Sequence, residues 1–346
     1  MNRTLTRFAP LAVLSVAGIA LAGCSSSGAP ADAAGAEGAE TRTITVYTSE
    51  PEEKIDAIVD AFTAQNPTVE VEVFRAGTGD LTTRIATEQK SADGVQADVL
   101  LAADAATFEG YAADGDLLEY TPADVEAINP DVVDPEGYYT GTRIIPTVIA
   151  YNTSMIDEAD VPASWQELTD PAYADKIVMP NPDVSGAAAY NAAVWALTPE
   201  LGETWLAALA ENSPVIADSN GPVSQAVATG AQPVGVVVDY LVRELAEQGS
   251  PIAVSYPTEG VPYVSQPVGI FANTDEEAAS QAFVDFLVSE EGQQLAVEQS
   301  YLPVRGDVGT PEGAPSMDDI TILNPALEDV QSTQDAAVET FRKLFL

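Results

Sequence analysis

Residues 43–74, TITVYTSEPEEKIDAIVDAFTAQNPTVEVEVF, contain the pattern that decides the fold. Thr43–Tyr47 and Thr68–Phe74 are rich in β-branched residues and alternate in polarity, as strands do. Between them, Glu52–Gln65 repeats apolar residues at the spacing of an α-helix. A strand, a helix and a second strand in this order predict an α/β fold with a largely parallel sheet.

The same alternation continues toward the C-terminus. It predicts further strands at Ala97–Ala102, Ile177–Met179, Pro233–Val238 and Val268–Ala272. It also predicts helices at Leu81–Gln89, Thr107–Asp114, Ala187–Leu197, Glu203–Glu211, Val223–Thr229, Tyr240–Gln248, Glu276–Ser289 and Asp335–Phe345. In such sheets ligands bind at the carboxyl ends of strands, where loops meet helix N-termini, so these loops are the candidate site.

The N-terminus has the composition of an export signal. Arg3 and Arg7 precede a short apolar stretch, which leads to Leu-Ala-Gly-Cys ending at Cys24. We interpret residues 1–23 as a signal peptide. The residues Leu-Ala-Gly-Cys, which end at Cys24, resemble the bacterial lipobox. This resemblance implies lipidation of Cys24 and anchoring to the outer face of the cytoplasmic membrane. The alternative is a cleaved secretory signal with an incidental cysteine. Residues 24–42 are then the lipidated cysteine and a flexible tether, because their small and acidic residues cannot form a core.

Charge and composition exclude several functions. The sequence has 54 acidic against 13 basic residues, a net charge of −41, and no histidine. This charge repels nucleic acid and anionic lipid, so nucleic acid is not an expected partner and the membrane is contacted only through the lipid anchor. Without histidine there is no Ser-His or Cys-His dyad, and we predict that the protein is not an enzyme. The acidic surface serves solubility or attracts a cationic ligand.

Six stretches in fixed order resemble one family, and they span most of the chain after the tether. These are Thr45–Ser49, Gly77–Gly79, Ala97–Leu101, Trp165–Ile177 with Trp-x-x-Leu-x-Asp-Pro-x-Tyr, Phe283–Gly292, and Leu302–Arg305. The chain resembles the two-lobed, Venus-flytrap periplasmic binding proteins, in the branch that contains ferric-ion and 2-aminoethylphosphonate binders.

The resemblance implies two lobes, with residues 43–145 and 268–346 in lobe 1 and residues 146–267 in lobe 2. Two crossing segments are expected near Arg143–Ile149 and Gln266–Ile270. Ligand binding would close the lobes, and the closed form of the monomer would be recognised by an ABC permease with its ATPase. A ligand-sensing lipoprotein that serves a membrane receptor is the alternative class.

Polar residues follow several of the predicted strands or precede helices. Ser185, Gly186 and Ala187 open a helix and match the family's anion-binding Ser-Gly position. A helix N-cap without a role in ligand binding would have the same sequence. Asn220 is either a turn residue or a ligand contact, and Arg143 is either an anion clamp or a hinge ion-pair partner. The residues expected to bind the ligand are Thr48, Ser49, Glu50, Thr78, Gly79, Ser185, Gly186, Ala187, Asp239 and Tyr240.

The ligand expected from these residues is a small anion or zwitterion of the phosphonate or phosphate-ester type. Asp239 or Glu50 would pair with an ammonium group, while the hydroxyl groups hold the anion. The alternative ligand is ferric iron held by Asp239 and Tyr240. Tyr240 matches the first of two adjacent tyrosines of ferric binders, and Leu241 replaces the second. No cofactor is expected, and iron enters only as transported cargo.

Overall fold

The computed structural model describes residues 41–315 and 319–346, which belong to one compact unit. The predicted signal peptide and Cys24 lie outside the described residues. The strands are β1 (Arg42–Thr48), β2 (Val69–Arg75), β3 (Val99–Leu101), β4 (Thr140–Gly141), β5 (Ile145–Asn152), β6 (Ile177–Pro180), β7 (Val215–Ala217), β8 (Val234–Val238), β9 (Ile252–Ser255), β10 (Tyr263–Val264) and β11 (Pro267–Ile270).

The α-helices alternate with these strands over most of the chain. They are α1 (Glu52–Gln65), α2 (Thr78–Glu88), α3 (Ala105–Asp114), α4 (Gly186–Leu197), α5 (Gly202–Glu211), α6 (Asn220–Ala228), α7 (Asp239–Glu247), α8 (Glu277–Val288), α9 (Glu290–Glu298) and α10 (Leu327–Phe345). In the part of the chain that is described, no helix has both the length and the apolar character needed to cross a membrane.

The first lobe is built on a sheet with the strand order β2-β1-β3-β11-β4. β1 is parallel to both neighbours, so that Val46 lies opposite Val73 and Val99, whereas β11 is antiparallel to β3. Helices α1 and α8 cover one face, where the rings of Phe62 and Phe283 meet edge to face at 5.2 Å. The carboxyl ends of β1, β2 and β3 therefore share one edge of the sheet.

The second lobe is built on a sheet with the order β10-β5-β8-β6-β7, with β9 beside β5. Every residue of β8 is buried, as expected of a continuous apolar strand in the middle of a sheet. Trp165, Trp195 and Trp205 pack together next to this sheet, with ring centroids 5.3–6.4 Å apart. The two sheets confirm the predicted two-lobed α/β fold.

Two of the chain's passages between the lobes lie side by side. The chain leaves β4 and enters β5 through residues 142–144, and it returns from β10 to β11 through Ser265 and Gln266. The backbone N–H groups of Thr142 and Arg143 donate to the Ser265 carbonyl at 3.0 and 3.2 Å. Gln266 has a φ of 43°, in the left-handed region that is uncommon for a residue with a side chain. These segments form the hinge.

The C-terminal helix differs from its prediction in length and in place. It begins at Leu327 instead of Asp335, and it packs mainly on α4 of the second lobe, whereas residues 268–346 were expected in lobe 1. Phe341 explains the place of the helix, because this residue is 2% exposed and belongs to the apolar cluster that contains the three tryptophans. α10 also contacts α3, where Gln334 donates to Asp104.

Candidate functional site

A cavity of about 450 Å³ lies between the two lobes. Its volume is in the range that small-molecule sites usually have. Residues of both lobes and of the hinge line it. The predicted site residues among them are Ser49, Glu50, Thr78, Ser185, Gly186, Ala187 and Tyr240. The cavity therefore collects residues that lie far apart in the sequence.

In the described part of the chain, five helices begin at the cavity wall. The residues immediately before α1, α2, α4, α6 and α7 all line it; these are Pro51, Gly77, Ser185, Ser219 and Val238. The first backbone N–H groups of a helix have no partner within the helix, and each N-terminus acts as about half a positive charge. Their convergence makes the wall attractive to an anion in spite of the acidic protein surface.

The polar loop atoms at this wall are held by hydrogen bonds. Ser185 Oγ caps α4 by accepting from the Ala188 N–H at 3.3 Å, and it also accepts from Asn220 Nδ2 at 3.0 Å. Asn220 Oδ1 in turn accepts from the Val238 N–H at 3.3 Å. Asn220, which the sequence left open between turn and contact, thus lines the cavity and links the beginnings of α4, α6 and α7.

The two lobes touch each other at the cavity. A Cβ atom built on Gly186 would lie 2.7 Å from Thr78 Oγ1, and one built on Gly79 would lie 2.0 Å from the Asp183 carbonyl oxygen. Gly79 was expected to contact the ligand, but it lies in the first turn of α2 against the second lobe and does not line the cavity. Its absent side chain is what allows the two backbones to approach so closely.

Thr48 also lies behind the wall and not at it. Its side chain is fully buried, where the hydroxyl donates to the Leu101 carbonyl at 2.9 Å and accepts from the Glu50 N–H at 3.0 Å. Thr48 therefore fixes the loop after β1 and leaves Ser49 to face the cavity.

Glu50 lines the cavity but is occupied by protein groups. The Tyr301 hydroxyl donates to its Oε1 at 2.7 Å, Gln266 Nε2 donates to its Oε2, and Arg143 Nη1 lies 3.1 Å from Oε1. The side chains of Glu50 and Arg143 are 0% and 2% exposed. Glu50 is therefore not the free partner for a ligand ammonium that the sequence suggested. Arg143 is a hinge ion-pair partner.

Asp239, unlike Glu50, does not line the cavity. It is 1% exposed, forms an ion pair with Arg243, and accepts from the Tyr256 hydroxyl at 3.3 Å. Burial raises the pKa of its carboxyl group, and the neighbouring guanidinium of Arg243 opposes that shift. The second carboxylate proposed for an ammonium group is thus used inside the second lobe.

Arg75 and Tyr301 are polar wall residues that were not among the predicted site residues. Arg75 ends β2 at the shared edge of the first sheet, lines the cavity, and donates from Nε to the Glu50 carbonyl at 2.8 Å. Tyr301 comes from the segment after α9, and its ring lies 4.4 Å from that of Tyr240. A basic residue directly after an alternating strand was a signal for Arg75, whereas no local pattern marks Tyr301.

The Tyr240–Tyr301 pair lies beneath a cation. Lys54 Nζ is 4.9 Å from the ring centroid of Tyr240 and 4.5 Å from that of Tyr301. Burial raises the pKa of both phenols, and the nearby Glu50 carboxylate adds to the shift. Both tyrosines are therefore neutral at physiological pH.

This geometry can be compared with known proteins. The family model for bacterial extracellular solute-binding proteins matches residues 96–325, which is more than half of the chain. The chain belongs to this family. The predicted solute-binding function is confirmed at that level.

Known relatives of this solute-binding protein have different ligands in their names. A periplasmic protein of Salmonella typhimurium, named for binding 2-aminoethylphosphonate, is 28% identical over 292 residues, covering 80% of each chain. The solved structure of AfuA from Actinobacillus pleuropneumoniae with fructose-6-phosphate has a TM-score of 0.81 at 21% identity, covering 88% of this chain and 99% of AfuA. Iron-bound HitA from Pseudomonas aeruginosa has a TM-score of 0.77 at 24% identity, covering 88% and 100%. The two structures establish a shared fold.

Proposed function

We propose that this protein is the solute-capturing subunit of an ABC importer and that it binds a phosphonate or a phosphate ester in the cavity between its lobes. One observation carries the proposal: five helix N-termini and Arg75 face a cavity whose carboxylate, Glu50, is neutralised by Arg143. A phosphoryl group offers several oxyanions to such a wall. The names of the Salmonella and AfuA relatives support the same class of ligand.

The charge balance of the wall favours an anion. Among the described residues that line the cavity, Arg75 is the only basic side chain and Glu50 the only acidic one. Since Arg143 compensates Glu50, the helix termini and Arg75 leave a net positive potential inside a protein of net charge −41. A local field of this sign selects an anionic group after the ligand has entered.

Ligand capture follows from the position of the wall residues. Thr78 belongs to the first lobe and Ser185 to the second, and both line the cavity. An oxyanion held by both residues would connect the lobes and stabilise the closed form, which is a population shift driven by the ligand. We propose that a permease with its ATPase recognises this closed monomer. A membrane receptor that senses the same closed form is the alternative, and unchanged uptake of labelled ligand by cells that lack this protein would favour it.

Thermal unfolding against a ligand panel tests the ligand class. The panel contains 2-hydroxyethylphosphonate, 2-aminoethylphosphonate, a hexose phosphate, inorganic phosphate, putrescine and ferric citrate. A ligand present at about 100 times its Kd stabilises the folded state by about 2.7 kcal/mol, which raises the Tm by several degrees. We expect this rise with at least one phosphoryl compound. A rise with ferric citrate or putrescine alone would refute the proposal.

Ferric iron is a second candidate because Tyr240 and Tyr301 both line the cavity, although Leu241 follows Tyr240. Ferric iron prefers phenolate and carboxylate oxygens. The raised pKa of both phenols and the ion pair at Glu50 oppose this use. Within the described residues, no group of three or more Asp, Glu, His or Cys side chains is placed to hold a metal ion. A visible tyrosinate–iron band that disappears in Tyr240→Phe would favour iron.

We propose further that the protein is held at the outer face of the cytoplasmic membrane by lipid on Cys24. The Leu-Ala-Gly-Cys sequence and the small, acidic residues that follow it support this location. Two or more acyl chains are needed for stable anchoring. Metabolic labelling with an alkyne fatty acid should mark the wild-type chain and leave Cys24→Ser unmarked, with the variant released into the medium. Labelling that persists in Cys24→Ser would contradict the anchor.

A further inference from the structure

We infer that the cavity selects phosphonates and phosphate esters whose remaining part is uncharged, and that it rejects those with an ammonium group. This inference rests on the proposed function and narrows its ligand class. Proteins recognise an ammonium group mainly through a carboxylate or through the face of an aromatic ring. Both kinds of group are present at this cavity, and a cation of the protein already occupies each of them.

The carboxylate at the cavity, Glu50, already has partners within the protein. Glu50 receives hydrogen bonds from Tyr301 and Gln266 and lies 3.1 Å from Arg143 Nη1. A second carboxylate, Asp239, is turned into the second lobe and paired with Arg243. Among the described residues that line the cavity there is no further acidic side chain. A ligand ammonium would therefore lose its water shell without gaining a counter-ion.

The rings of Tyr240 and Tyr301 also have cations of the protein next to their faces. Lys54 Nζ lies within 5 Å of the centroids of Tyr240 and Tyr301, and Arg143 Cζ lies 4.7 Å from that of Tyr301. Lys54 is held there by an ion pair with Glu244 and by a hydrogen bond to the Gln299 carbonyl. The faces of these rings are therefore already used by cations of the protein and are not available to a ligand ammonium group.

The remaining wall suits an uncharged group. Ile145, Val238, Leu241 and Val264 line the cavity beside the tyrosines. Apolar side chains and phenol hydroxyls together accommodate carbon chains that carry hydroxyl groups. The phosphoryl end is thus placed at the helix N-termini, and the other end of the ligand is neutral.

A matched pair of ligands tests the inference. 2-Hydroxyethylphosphonate and 2-aminoethylphosphonate differ only in a hydroxyl against an ammonium group. Isothermal titration of the chain from Ser25 onward at pH 7.5 should give a Kd at least about tenfold lower for the hydroxyl compound, because like charges placed together cost binding energy. In Lys54→Met the ratio should fall by roughly threefold or more, since the tyrosine rings and Glu244 then lose the protein cation that they contact. Lys90→Met, an exposed residue outside the cavity, should keep the wild-type ratio.

The outcomes separate the two proposals. Equal or tighter binding of 2-aminoethylphosphonate would overturn this inference and leave the phosphoryl-binding function standing. An unchanged ratio in Lys54→Met, with normal binding of the hydroxyl compound, would also count against the role given to the protein cations. If neither compound nor any phosphate ester binds, the proposed function itself fails and the inference fails with it.

Discussion

Arg75 is the residue on which the charge of the cavity wall depends most. It contributes the single basic side chain among the described lining residues, and its Nε holds the Glu50 carbonyl at 2.8 Å. We expect Arg75→Met to weaken binding of a phosphoryl ligand by about 10- to 100-fold, the usual size of a lost charge-assisted hydrogen bond. Isothermal titration measures the loss. Arg42→Met, which removes an exposed arginine outside the cavity, should change the Kd by less than about twofold.

Gly79 controls how closely the lobes approach. A Cβ at this position would lie 2.0 Å from the Asp183 carbonyl, so Gly79→Ala cannot keep the observed contact between α2 and the loop before α4. We expect ligand binding to weaken at least about tenfold, because the closed form is lost. Small-angle scattering should show that the radius of gyration no longer decreases on ligand addition.

Gly110→Ala is the matched control for this prediction. Gly110 is also helical, but a Cβ there meets its nearest atom, Gln331 Nε2, only at 3.9 Å. This variant should bind ligand and close as the wild-type protein does. Normal closure in Gly79→Ala would show that the contact with Asp183 is not part of the closed form.

At the scale of elements, α10 ties the C-terminus to the second lobe. Phe341 is 2% exposed in the cluster of Trp165, Trp195 and Trp205. Phe341→Ala should lower the free energy of unfolding by about 3–5 kcal/mol, the usual cost of emptying such a site. Urea denaturation measures it. Leu346→Ala, at a side chain 65% exposed, should stay within about 0.5 kcal/mol of wild type, and an equally small effect at Phe341 would contradict the packing.

The strands and helices could be predicted to different extents. Glu52–Gln65 was predicted at its observed bounds because its apolar residues repeat at the helical spacing and Pro51 and Pro67 flank the pattern. α2 begins at Thr78, three residues before the predicted start at Leu81. The prediction began too late because Gly79 and Asp80 have low helix propensity and do not extend the apolar pattern. The amphipathic pattern of α10 is clearest after Asp335, so its first turns were missed. Tertiary contacts, which sequence periodicity does not contain, stabilise these ends.

The candidate site was predictable where it depends on strand ends and helix starts. Ser49, Thr78 and Ser185 line the cavity because, in each lobe, loops that follow strands and begin helices lie at the carboxyl edge of the sheet. The charge partners were not predictable, since Glu50 meets Arg143 and Tyr301 only after the hinge and the segment after α9 come together. Glu50, which was assigned to a ligand, therefore has partners within the protein instead.

At the scale of the whole molecule, a buried aspartate, Asp104, and the high net negative charge predict how the free energy of unfolding depends on pH. Burial raises the pKa of Asp104, which accepts hydrogen bonds from Ala106, Thr107 and Gln334. The folded state then binds the proton more strongly than the unfolded state, whose carboxyl pKa is about 3.9. The free energy of unfolding should therefore decrease as the pH rises above about 4, until the raised pKa is passed. Repulsion among the acidic residues acts in the same direction.

The variant Asp104→Asn measures how much of this pH dependence comes from Asp104. Asparagine keeps the helix cap, and its amide can donate to Gln334 Oε1, a buried atom that has no hydrogen-bond partner among the described residues of the wild-type protein. Urea denaturation between pH 4.5 and 8 should give a smaller slope of stability against pH than in wild type. Asp93→Asn, at an exposed position, should leave the slope unchanged. A slope in Asp104→Asn equal to that of wild type would contradict the contribution of Asp104.

The central claim is that helix N-termini from both lobes bind a phosphoryl anion, and ³¹P NMR tests it most directly. Titrating 2-hydroxyethylphosphonate or a hexose phosphate into the protein should produce a shifted bound resonance that saturates at one ligand per chain. The shift should be lost in the double variant Thr78→Ala, Ser185→Ala, whose residues contribute to the wall from opposite lobes. An unperturbed free resonance for every phosphoryl compound, together with a coloured protein in ferric citrate, would contradict the account.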